Sequence, residues 1–220
     1  MINTQLMPPP RGFETTEFEQ RTAKLQSLMH THNIDTLFLT TEPEFRYFSG
    51  FKSQFWESPT RPWFLVIPAK GKPIAVVPEI GRSGFDDTWI DDVRSWPSPR
   101  PEDDGISLLR DTLIDTSNTS FQIGAMLGPE THLRMPADNY QALKRALNQS
   151  LGRHKMTDIS ALIRQVRSVK SPAEVAKTRF ACEVTAAGFD FLLNNLKTGM
   201  TERQACKAMQ LEMLRLGADS

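Results

Sequence analysis

The sequence predicts an α/β fold: an amino-terminal domain built on a mixed sheet with flanking helices, followed by the first two helices of a second domain. Three observations predict it. Short apolar runs rich in β-formers alternate with longer stretches whose apolar residues recur every three or four positions, the signature of strands layered against helices. Two of those runs flank Gly71 closely enough to form a hairpin, so at least one strand pair is antiparallel. A chain of 220 residues with 39% hydrophobic content can bury one full core and begin another.

In chain order, residues 1–12 contain three consecutive prolines and lack any apolar run, and read as a flexible lead-in. Thr16 with Glu19 spells a capping box for a first helix with Leu25, Leu28 and Met29 on one face, ending near His32 and Asn33. Asp35 to Thr40 is too short for a helix and suits a buried strand. A short helix from Glu42 to Phe48 stops at Gly50, and Phe51 to Pro62 is a loop. Trp63–Pro68 and Pro73–Pro78 form the hairpin, with Gly71 in the turn conformation closed to most residues. Val93–Trp96 adds a strand, Asp103–Thr116 a helix, and Phe121–Leu127 a strand ending at Gly128-Pro129. Ala137–Asn148, with Tyr140, Leu143 and Leu147 at spacings of three and four, covers a sheet.

The first domain is expected to span 13–158. Residues 159–220 supply a connecting helix, Ser160–Val169, and two further helices. The first of these opens at Ser171-Pro-Ala-Glu174 with a serine cap, a proline at the first helical position and a glutamate three residues after the cap. The second opens at Thr201 with Gln204 and ends at Gly217.

Lys plus Arg equals Asp plus Glu at 26 each, which gives no field for nucleic acid or an anionic membrane as the main partner. Residues 1–12 lack the apolar run that a secretory leader or membrane span would need. Cys182 and Cys206 lie in helical patterns without a CxxC partner and read as reduced, buried thiols of a cytoplasmic protein. His30, His32, His132 and His154 are scattered, and no HExxH, GxSxG, P-loop or GxGxxG pattern occurs. Asp86-Asp87 with Asp91-Asp92 reads as a solvated surface rather than a metal site.

The loop Phe55-Trp-Glu-Ser-Pro-Thr-Arg-Pro62 stands apart, because it joins two aromatics, a fixed cation and conformationally restrictive prolines. Arg61 could clamp a carboxylate while Phe55 or Trp56 supplies an apolar wall, the way a small zwitterionic ligand is oriented. The alternative is structural: Trp56 packs under the loop, and Arg61 pairs with Glu57 or stacks on Trp63.

Two segments resemble the creatinase, prolidase and aminopeptidase P family of pita-bread hydrolases. Ile34-Asp-Thr-Leu-Phe-Leu-Thr40 with Phe45-Arg-Tyr-Phe-Ser-Gly-Phe51 is similar to the opening of the family's amino-terminal domain. Ile163-Arg-Gln-Val-Arg-Ser-Val-Lys-Ser-Pro-Ala-Glu-Val175 is similar to its junction with the catalytic domain, and the likeness runs from about Phe18 to the end. The resemblance implies a creatinase-like α/β domain followed by the first two helices of a pita-bread α+β domain. It implies two divalent metal ions, manganese by preference, in the complete protein, with no ligand on this chain.

It also implies a homodimer, in which Phe55 or Trp56 and Arg61 contact a peptide or small zwitterionic substrate in the neighbouring subunit. Cleavage before proline is the leading expectation. A metal-independent C–N hydrolase like creatinase, and a non-catalytic protein-binding module of the same fold, remain the alternatives. The chain is therefore expected to be a fragment that leaves the helices after Ser171 poorly covered and hydrolyses nothing by itself.

Overall fold

The structure, a computed structural model, describes residues 7–57, 61–117, 122–151 and 154–219. The first six residues of the lead-in, Pro59 of the aromatic loop and Phe121 lie outside them. Two compact units are present, residues 13–168 and residues 169–220 with the first 12 residues.

The larger unit runs α1 (Thr15–Thr31), β1 (Thr36–Leu39), α2 (Glu42–Ser49), β2 (Phe64–Pro68), β3 (Ile74–Pro78), β4 (Asp92–Trp96), α3 (Ile106–Thr116), β5 (Gln122–Ala125), α4 (Ala137–Leu151), β6 (Lys155–Asp158) and α5 (Ser160–Ser168). The strands form one sheet in the order β4-β3-β2-β1-β5-β6. The β2 strand is antiparallel to both β1 and β3, while the β3–β4, β1–β5 and β5–β6 pairs are parallel. The sheet is thus mixed, with β2 alone running against the rest.

Side chains alternate across a strand, so an unbroken apolar run signals burial on both faces. Leu37, Leu39, Leu65, Ile67, Ala75 and Val77 face one side, with Phe18, Leu25 and Met29 of α1, Phe45 and Phe48 of α2 and Ile163 of α5. Phe38, Phe64, Val66, Ile74, Val76 and Ile123 face the other, against Leu109 and Leu113 of α3 and Leu143 and Leu147 of α4. The result is a three-layer sandwich. Gly71 at φ +91° closes the hairpin, and Gly50 at φ +77° caps α2.

Several local expectations are corrected. Helix α1 starts at Thr15 with Glu14 at its cap and no side-chain cap bond, so Thr16 lies inside the first turn and cannot be the cap of a Thr16–Glu19 box; the first-turn acid Glu17 pairs with Arg21 one turn on. Helix α3 begins at Ile106 rather than Asp103, since Gly105 at φ +85° breaks the helical path. A 3-10 segment, Glu79–Phe85, follows β3, and β6 was not foreseen.

The β6 strand is anchored by its last residue. Asp158 accepts hydrogen bonds from the Leu127 amide at 3.0 Å and from the Ser160 amide at 3.0 Å and hydroxyl at 2.5 Å. Burial alone would raise this carboxyl, but the hydroxyl and amide donors outweigh it and hold it below the usual carboxylate range. A folded value depressed below the unfolded one stabilises fully above the unfolded carboxylate's range and is lost as pH falls through the folded value. The melting temperature of Asp158→Asn is therefore expected to lie below wild type at pH 7 and to converge on it in acid.

In the smaller unit, α6 (Pro172–Asn195) and α7 (Glu202–Arg215) each begin with a complete capping box, at Ser171–Glu174 and Thr201–Gln204. Gly188 lets them approach, since a Cβ there would lie 2.8 Å from Met213. Residues Pro10 and Arg11 meet these helices, with Lys177 donating to the Pro10 carbonyl and Arg11 pairing with Asp219. Phe189 is 54% and Leu193 73% exposed, and Leu211 and Leu214 are also exposed. Cys182 and Cys206 are exposed too, contrary to the sequence expectation, because α6 buries Val184 and Gly188 on another face and α7 buries none of its residues.

Candidate functional site

In α/β sheets, ligand sites gather outside the carboxyl ends of the parallel strands. Here β1 ends at Leu39 and β5 at Ala125, and the antiparallel β2 begins at the same edge. Three connections therefore meet there: Thr40-Thr41 into α2, Met126 to Pro136 into α4, and the loop that carries Phe55, Trp56 and Arg61 into β2.

The loop rests on an aromatic floor. Phe51 stacks on Phe85 at 4.2 Å and on Trp63 at 5.2 Å. Trp56, in the 3-10 turn Gln54–Glu57, meets Phe45 edge-on at 5.2 Å and Trp63 at 5.7 Å. Phe55 lies over Trp63 at 6.0 Å and remains 43% exposed. The Trp56 indole Nε1 is buried without an acceptor among the described residues.

Arg134 joins these parts. Its amide donates to the Thr40 hydroxyl at 2.9 Å, its Nη1 donates to the Arg61 carbonyl at 2.6 Å, and its guanidinium lies 5.3 Å from the Trp56 ring centre. Burial draws the Arg134 guanidinium below its ordinary value, against the charge of Glu42. Arg61 itself is half-buried. Among the described residues it forms neither an ion pair with Glu57 nor a stack on Trp63.

The structural alternative thus describes Trp56 but not Arg61. Sequence reading missed Arg134, and it missed Trp63 as the floor beneath Phe55 and Trp56. An arginine in the connection just after a strand stopped by Gly128-Pro129 was the available signal, because that connection opens at the carboxyl edge of the sheet.

No group of three or more His, Cys, Asp and Glu side chains gathers among the described residues. Asp91 pairs with Lys72 at 2.7 Å, and Asp92 with Arg94 at 3.2 Å, so this acidic stretch is spent on surface ion pairs. These residues do not fit a metal pair. No helix among the described residues is long and apolar enough to cross a membrane.

The structure is thus a three-layer α/β domain on a mixed six-stranded sheet, with an aromatic and cationic loop at the carboxyl edge of that sheet. The match to the Creatinase/Prolidase N-terminal domain over residues 21–169 shows that the chain belongs to the creatinase/prolidase family. An uncharacterized peptidase of Staphylococcus saprophyticus is 25% identical over 203 residues, which cover 92% of this chain and 51% of the relative. Among solved structures, the prolidase of Thermococcus sibiricus superposes with a TM-score of 0.75 at 17% identity, covering 94% of this chain and 52% of that one. The Xaa-Pro dipeptidase of Bacillus anthracis gives 0.71 at 17%, covering 92% and 50%. These likenesses show the fold, and the chain spans about half the length of the relatives it matches.

Proposed function

We propose that this chain is the amino-terminal part of a cytoplasmic Xaa-Pro peptidase-like metallohydrolase, in which it contributes dimerisation and substrate selection. The family membership and the prolidase and Xaa-Pro dipeptidase names of its structural neighbours support the reaction class. In this reading residues 13–158 are the selecting domain. Residues 159–220 are the linker helix and the opening of the pita-bread catalytic domain, and this chain alone is inactive.

Two divalent ions, manganese in this reading, belong to the catalytic half, and the described residues of this chain assemble no donor set for them. The selecting role rests on one observation: exposed Phe55 and half-buried Arg61 lie on one connection, where Arg134 holds Trp56 and the Arg61 carbonyl over an aromatic floor. In a homodimer Arg61 holds the carboxylate of a short peptide in the partner's pocket, and Phe55 or Trp56 walls off its apolar side.

A charge-assisted hydrogen bond to a carboxylate contributes about 1.5–3 kcal/mol. Arg61→Ala in the whole protein is accordingly expected to raise KM for a Xaa-Pro dipeptide by about tenfold or more, with a smaller effect on the carboxamide of the same dipeptide. An unchanged KM with unchanged kcat would refute the assignment.

A further inference from the structure

The geometry points to Arg134 as the positioning residue of Trp56 and Arg61, the group that sets where the Arg61 side chain projects. Three contacts carry this. The Arg134 amide is tied to Thr40 at the end of β1, so its own backbone is registered to the sheet. Its Nη1 holds the Arg61 carbonyl at 2.6 Å, which fixes the peptide immediately after the residue proposed to grip substrate. Its guanidinium covers Trp56 at 5.3 Å, at the other end of the same loop.

One planar cation therefore ties both Trp56 and Arg61 to the carboxyl edge of the sheet. A lysine cannot reproduce this, because an ammonium is a point charge without the fork that reaches a carbonyl while lying flat on a ring. The contact to Trp56 leaves the indole Nε1 buried, so the ring is held by packing and by the cation rather than by a hydrogen bond of its own. Arg134 acts through Arg61 and Trp56 and needs no contact with substrate.

The claim about substrate rests on the reading of Arg61 given above, but the clamp can be tested without it. Amide hydrogen exchange of Trp56, Glu57, Arg61 and Trp63 is compared among wild type, Arg134→Gln and Arg134→Lys, with Phe38 and Val66 in the sheet as internal references. Arg134→Gln is expected to accelerate exchange in the loop by about tenfold while the sheet amides keep their protection, and Arg134→Lys to accelerate it less. Loop exchange equal to wild type in Arg134→Gln would overturn the proposal. If that variant also loses sheet protection, Arg134→Lys decides: selective acceleration in the loop supports the clamp, and none refutes it.

In the whole protein, Arg134→Gln is expected to raise the dipeptide KM several-fold and kcat to change little, and adding it to Arg61→Ala is expected to raise KM no further. Additive losses would mean that Arg134 acts independently of Arg61 and would overturn the positioning role. A KM untouched by Arg61→Ala alone would remove the substrate reading, while the exchange experiment still decides the clamp.

Discussion

Trp63→Ala is expected to lower the stability of the larger unit by about 3–5 kcal/mol, the cost of emptying a large aromatic site in a packed core. Trp63 is 2% exposed and contacts the rings of Phe51, Phe55 and Trp56. Its indole also fills the space that Gly81 leaves by having no side chain, so the collapse of the cavity is limited on that side by backbone. Aromatic pairs add about 0.5–1.5 kcal/mol beyond area burial, and this residue takes part in three. The loss reaches the candidate site directly, since Phe55 and Trp56 lose the surface they rest on. Urea unfolding followed by far-ultraviolet circular dichroism measures it. Trp63→Phe, which keeps a ring in place, is expected to retain most of the stability.

The second large effect is expected at Arg21. This side chain is 5% exposed, with its guanidinium 4.2 Å from the Phe13 ring centre and 4.1 Å from that of Tyr47. Its Nε donates to Glu17 at 3.2 Å and its Nη1 to the Tyr47 carbonyl at 2.9 Å. The Glu17 side chain is itself only 13% exposed. Removing one member of a buried pair strands the other charge, at a cost of about 3–5 kcal/mol. Arg21→Met should incur a loss of that order, because the Glu17 carboxylate and the Tyr47 carbonyl both lose a donor. Adding Glu17→Leu removes the stranded carboxylate and is expected to restore a substantial part. A double variant no more stable than Arg21→Met would show that the cation matters through its ring contacts and not through the pair.

These two sites illustrate what a sequence discloses and what it withholds. Strands β1, β2 and β3 were legible because burial on both faces makes their apolar runs continuous, and Gly71 and Gly50 mark turns that only an unhindered backbone takes easily. The starts of α6 and α7 were legible because a capping box is a local bond pattern, complete within four residues. The β6 strand was not, since Lys155-Met-Thr-Asp158 is a polar edge strand whose pairing with β5 comes from long-range contacts. Thr16 and Glu19 carried the letters of a cap, but the helix was already under way at Thr15 and Glu17 took the pairing role with Arg21.

For the candidate site, the unusual composition of the Phe55–Arg61 loop was visible. What orders it was not. Arg134 lies 73 residues beyond Arg61 and reaches it only because β5 is inserted next to β1. Trp63 read as the first residue of a strand, and its role as floor depends on Phe51, Trp56 and Gly81 arriving from other elements.

Mixed dimers of the whole protein test whether this domain selects substrate for the neighbouring subunit's active site. One subunit carries Arg61→Ala with an intact catalytic half, and the other keeps Arg61 but has its catalytic half disabled. If Arg61 acts across the interface, the surviving active site receives a normal loop from its partner, and the mixed dimer shows the wild-type dipeptide KM at reduced kcat. A KM as high as that of the Arg61→Ala homodimer would refute action across the interface, because the loop would then be serving its own subunit.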